Sequence, residues 1–160
     1  MDKFTIEIKW GVIFTVLALL WMVFEKTMGW HDVLIAKQAI YTNLFGIFAV
    51  LVYFLAVRDK KINFYNRQMT WRQGFVAGII VTIVVTVLAP LSQFVTSNYI
   101  TPDYFENVIA YSVETKVMTQ EQAEAYFNLK SYIIQATFGA LVMGVVTSAA
   151  VAWFLKTKKE

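Results

Sequence analysis

Between Lys37 and Arg58 the chain runs for 20 residues without a charge. A helix rises about 1.5 Å per residue, so this run alone covers the roughly 30 Å hydrocarbon core of a bilayer. Further apolar stretches lie on either side of it. Together they make hydrophobic residues 58% of the chain and leave only 16% charged, against roughly 25% in an average soluble domain. A soluble core does not need apolar blocks of this length. The expected fold class is an all-α integral membrane protein with four transmembrane helices, one domain over residues 1–160.

The spans fall at about 8–28, 39–57, 71–97 and 131–155. The uncharged run of the first, Trp10 to Phe24, is 15 residues, only about 22 Å of helix. The helix is therefore expected to continue through Glu25 and Lys26, which places Glu25 below the interface. Gly29, Trp30, His31 and Asp32 read as a turn with an interfacial aromatic. Asp2 and Glu7 spoil a basic leader, so the first span reads as retained rather than cleaved. Pro90 should kink the third helix, since it removes a backbone donor.

The only long polar segment is residues 101–130. Thr101-Pro102 reads as a helix start. Tyr104, Phe105, Val108, Ile109, Ser112, Val113 and Val117 form a narrow apolar stripe, and Asp103, Glu106 and Glu114 fall off it. Thr119 to Gln122 is a capping box. No proline follows it, so one extended fourth helix is expected from Gln120 to about Leu155.

Charge sets the expected orientation. Ten basic residues lie in the N-terminus, the 58–72 loop region and the C-terminus, against four in the other two loops. By the positive-inside rule both termini are cytoplasmic, and 96–130 lies outside with an amphipathic helix in it.

The runs Met69–Phe75, Ala89–Phe94, ITPDYFENVIAYSVE and MTQEQAEAYFNLKSYIIQ resemble a family of uncharacterised bacterial membrane proteins, domain of unknown function 4199, found mainly in Bacteroidota. The resemblance covers nearly the whole chain and is most specific between Ile100 and Gln135. It implies a four-helix protein of a Gram-negative inner membrane. It brings no activity and no catalytic residues.

Four constellations carry the functional expectations. Glu25, Asn43, Gln93 and Gln135 all fall in the outer third of the spans. They read either as a polar vestibule, with Glu25 able to hold a cation or proton, or as wet helix ends bonding one another. Gly74 and Gly78 on the third helix, and Ala136, Ala140, Gly144 and Ser148 on the fourth, form small-residue stripes. These suit internal packing or a dimer or partner interface. Asp103, Glu106, Glu121 and Glu124 make the outer segment acidic. That is a docking surface for a basic partner or a solvated face. His31-Asp32 reads as a capped turn, since no second ligand or nucleophile accompanies it.

The absence of cysteine and the single histidine exclude thiolate and multi-histidine metal sites, and no catalytic fingerprint is present. No catalytic residue, metal, cofactor or nucleic-acid partner is expected. The leading expectation is a non-enzymatic accessory or scaffolding subunit working through helix packing and its outer cap. Its partners would be the bilayer and either a second copy or another membrane subunit. The alternative is a small dimeric ion or solute transporter built around Glu25.

Overall fold

The computed structural model describes residues 3–157. It is all helical: α1 (Thr5–Thr27), α2 (Ile35–Tyr41), α3 (Phe45–Asn63), α4 (Trp71–Val95), α5 (Tyr104–Glu114), α6 (Gln120–Tyr126) and α7 (Leu129–Leu155). A single 3-10 turn, Thr42–Leu44, joins α2 to α3, and a π-turn, Thr96–Ile100, prolongs α4. Four helical stretches are long and apolar enough to cross a membrane: Thr5–Thr27, Ile35–Asn63, Trp71–Ile100 and Leu129–Leu155. Helix α4 is the hub. It packs on α1, α3 and most extensively on α7.

The small-residue stripes explain that last contact. A Cβ added to Gly78 would lie 2.5 Å from Ser148 Oγ, and one added to Gly144 would lie 2.5 Å from Thr82 Cγ2. The two backbones approach because neither glycine carries a side chain. Tyr53 and Thr82 then share a hydroxyl–hydroxyl bond of 2.9 Å at the centre of the bundle. Gly74 and Gly78 on α4 and Gly144 and Ser148 on α7 are thus used inside the bundle. Ala136 and Ala140, nearer the other end of α7, are only half-buried.

Packing is uneven along the bundle. Buried residues of α3 begin at Val52, those of α4 end at Val85, and those of α7 begin at Gly144. All of these crowd toward the end that carries the termini. There Lys60, itself buried, bonds Glu7 at 2.9 Å and the Lys3 carbonyl, and lies 3.8 Å above the Phe64 ring. Thr157 donates its N–H to the Met69 carbonyl at 2.8 Å, which pins the C-terminal end to the α3–α4 loop. The opposite half of the bundle is less tightly packed, and α5 is fastened over it through the His31 carbonyl and the Tyr132 hydroxyl.

The expected extended fourth helix does not form. Asn128 breaks it, with φ −147° and ψ 162°. Its carboxamide serves both helices at once. The oxygen accepts from Ser131 N at 3.0 Å, capping α7, while the nitrogen donates to the Ala125 carbonyl at 2.8 Å, closing α6. A side chain with both donor and acceptor thus satisfies backbone groups at both of the helix ends that the break creates. The start of α5 also moves. Thr101 instead closes the π-turn, bonding Thr96 O at 2.8 Å, and helix begins at Tyr104 with Asp103 as N-cap and no side-chain cap bond. The chain stays helical through Pro90. Trp30 is not an interfacial anchor: it is buried and stacked on Tyr41 at 4.6 Å.

Candidate functional site at the cap end

The end of α1 builds the first part of the site. Gly29 adopts φ +73°, Trp30 N donates to Glu25 O at 3.1 Å, and Gly29 N donates to Lys26 O at 2.9 Å. This is a Schellman motif, and its usual hydrophobic contact is present as Trp30 against Phe24 at 5.5 Å. The reversal brings His31 back over the last turn of α1. His31 Nε2 then meets Glu25 Oε2 at 2.9 Å, with both side chains buried. Trp21 Nε1 donates to the other carboxylate oxygen. His31 Nδ1 is buried without a hydrogen-bond partner among the described residues.

The cap is fastened to this pair. Asn107 of α5 donates to the His31 carbonyl at 3.0 Å, and Tyr104 packs edge-on to the imidazole at 5.2 Å. The Tyr104 and Tyr132 hydroxyls lie 3.2 Å apart, tying α5 to α7. Burial raises the Tyr104 phenol above its ordinary value, and the nearby Glu25 charge adds to the effect.

The four expected vestibule residues do not meet. Glu25 is closed off by His31 and Trp21. Asn43 is exposed and bonds back to the Ala39 carbonyl, and Gln135 is exposed and accepts from the Tyr126 hydroxyl. Gln93 lines a cavity between the spanning helices. That chamber, about 430 Å³, sits in the less tightly packed half of the bundle and is lined from all four spanning helices. Phe14, Phe45, Ala89 and Ala140 are among its apolar walls; Thr42 of the 3-10 turn and Ser92 and Gln93 of α4 line it toward the cap, and Thr15 lines it from the middle of α1. No charged residue lines it.

A second concavity, about 450 Å³, lies on the outer surface between α5 and α6. Glu106 and Glu124 both line it, over a floor that includes Ile109 and Ala110. Asp103, Glu106, Glu121 and Glu124 are all exposed, and no ion pair among the described residues neutralises them. Of the expected stripe, Tyr104, Val108 and Ser112 are buried and Phe105, Ile109 and Val113 half-buried, but Val117 is exposed, because α5 ends at Glu114 and the chain turns at Lys116. The capping box at Thr119 and Gln122 forms too.

Residues that sequence reasoning missed are the buried partners. His31 was visible as the single histidine, and its place after Gly29 was the available signal. The link from Lys60 to Glu7 spans 53 residues and has no local signature.

These features define a multi-pass all-α membrane protein. The chain belongs to the family described as protein of unknown function (DUF4199), whose model matches residues 9–157. No curated protein and no solved structure matches it.

Proposed function

We propose that this protein is a non-enzymatic accessory subunit of a bacterial inner membrane, holding a basic extracytoplasmic segment of another membrane protein on its acidic cap. The observation that carries this reading is the groove that Glu106 and Glu124 share between α5 and α6. Two carboxylates without a cationic partner, Glu124 also accepting from Gln120 at 2.6 Å, stand over an apolar floor and complement a lysine- or arginine-bearing segment with an apolar residue between its charges. The fastening of α5 to His31 and Tyr132 supports it further, because a docking surface set on a rigid bundle loses little on binding. The distribution of basic residues, ten against four, supports cytoplasmic termini and a periplasmic 96–130 segment.

The test is purification from native membranes in mild detergent, with native mass spectrometry. Wild type should carry a stoichiometric foreign subunit, and the Glu106→Lys/Glu124→Lys variant should lose it while keeping its thermal stability. Retention of the companion by that variant overturns the docking reading. A homodimer without a companion would favour the second reading, a small solute transporter. That reading rests on the chamber beside Gln93, not on Glu25.

A further inference from the structure

We propose that the chamber between the four spanning helices is a binding site for an uncharged, hydroxyl-bearing amphiphile drawn from the surrounding bilayer. The proposal is independent of the docking surface on the cap.

Three observations point the same way. The first is where the space lies. The bundle is densely packed from its terminal end up to the level of Tyr53 and Thr82, and the cavity begins just beyond, at Val85. A four-helix protein of this size would bury more apolar surface by closing that half. Instead the cap ties the ends of α1, α5 and α7 together above an unfilled interior. At about 430 Å³ the space is in the range of ligand pockets, about 300–1,000 Å³. That is room for a head and a length of chain, not for a whole two-tailed lipid.

The second is the distribution of polarity. The walls are mostly phenyl rings and alanines, while Thr42, Ser92 and Gln93 collect toward the cap; Thr15, the other polar residue of the lining, spends its hydroxyl on the Gly11 carbonyl at 3.0 Å. Gln93 Nε2 is already engaged by Ser97 Oγ at 2.9 Å. Its carbonyl oxygen and its second N–H are left to pair, so a hydroxyl, which both donates and accepts, is the matching head.

The third is charge. No ionisable side chain lines the chamber, and the nearest one toward the cap on α1, Glu25, is held by His31 and Trp21. A cationic or anionic head would enter without a counter-charge, at a cost far above that of a hydroxyl.

The experiment uses the full-length protein in liposomes and a decanol carrying a diazirine on its terminal carbon. After irradiation the crosslinks are mapped by peptide mass spectrometry. The expected result is saturable labelling of Phe14, Phe45, Ala89 or Ala140, competed by unlabelled decanol. The matching diazirine decanoate should label these positions at least tenfold less. Ala140→Phe, which fills the chamber, should abolish the labelling. Gln93→Leu should weaken it about fivefold, the size of one hydrogen bond. Thermal unfolding reports whether each variant is folded. If Ala140→Phe does not fold, Gln93→Leu with the decanol and decanoate pair decides. Labelling spread over membrane-facing positions such as Val142 and Met143 without competition overturns the proposal. So does equal labelling by the decanoate, or labelling that persists in a folded Ala140→Phe variant.

Discussion

Glu25 and His31 are joined side chain to side chain at 2.9 Å, both buried, across the turn that ends the first spanning helix. A carboxyl with no exposed surface at the edge of a membrane bundle must be paired or protonated. Here the Schellman turn supplies the partner from six residues away. The pair is the point to which the cap is fastened, through Asn107 on the His31 carbonyl.

Removing one partner should therefore be worse than removing both. Glu25→Ala is expected to cost about 3–5 kcal/mol, because His31 is left buried, and Trp21 half-buried, without their acceptor. Glu25→Leu/His31→Leu should cost less than the sum of the single Leu changes. Thermal unfolding in detergent across a double-mutant cycle checks this, and additive effects would mean the two side chains are not coupled.

Tyr104 gives the cap a pH dependence. Its phenol is raised above the ordinary 10 by burial. A raised value means the closed cap holds the proton more tightly than the lifted cap does. The stabilisation is complete below pH 10 and is lost as pH rises past it toward the folded value. Cleavage of the cap by an alkali-tolerant protease should accelerate above about pH 10 in wild type. Tyr104→Phe should remove that acceleration, while losing about 1 kcal/mol at neutral pH with the bond to Tyr132.

Enlarging Gly144 should strain the bundle without changing its oligomeric state. A Cβ there would stand 2.5 Å from Thr82 Cγ2 and 2.7 Å from the Tyr53 hydroxyl. Gly144→Ala is expected to cost about 1–3 kcal/mol and Gly144→Leu more. Thr82→Ala in the Gly144→Ala background should recover part of the loss. Size-exclusion with light scattering, run beside thermal unfolding, separates strain from dissociation. An oligomer that dissociates while its protomers keep their melting temperature would place Gly144 at an interface.

Lys116 holds φ +57° at the end of α5, where Val117 N donates to Ser112 O at 3.0 Å. That is the glycine position of a Schellman motif occupied by lysine. Lys116→Gly should stabilise the cap by about 1 kcal/mol, since a left-handed backbone costs a residue with a Cβ roughly that much. Slower amide exchange in α5 would show it, and faster exchange would count against it.

Asn128→Ala should cost about 1 kcal/mol, the typical value of a lost N-cap. The amide of Ser131, which the Asn128 side chain accepts from at 3.0 Å, should be the one whose exchange accelerates most. Unchanged protection there would mean the break between α6 and α7 has another cause.

The cap shows where local patterning is legible. Tyr104, Val108 and Ser112 face inward and Glu106 and Glu114 outward because one helix face meets apolar surface and the other water. The capping box at Thr119 forms because its donors and acceptors lie within four residues. The helix expected to run unbroken from Gln120 failed at Asn128. Propensity alone favours continuity, and the competing double cap exists only when α6 and α7 are set at an angle. The vestibule failed for a related reason. Depth along the spans put Glu25, Asn43, Gln93 and Gln135 at one level, but depth does not say which way a side chain faces.

What the sequence determined by itself is the membrane class, the four spanning helices and the amphipathic cap, because uncharged runs and helical periodicity act within a single segment. What only the tertiary structure decided is which groups meet. Glu25 closes on His31, Glu7 on Lys60, and Gly144 on Thr82. It also decided that the chamber lies beside Gln93. The Glu25–His31 closure follows from the reversal at Gly29; the other outcomes depend on how each helix is rotated about its axis, which packing between residues far apart in the chain sets.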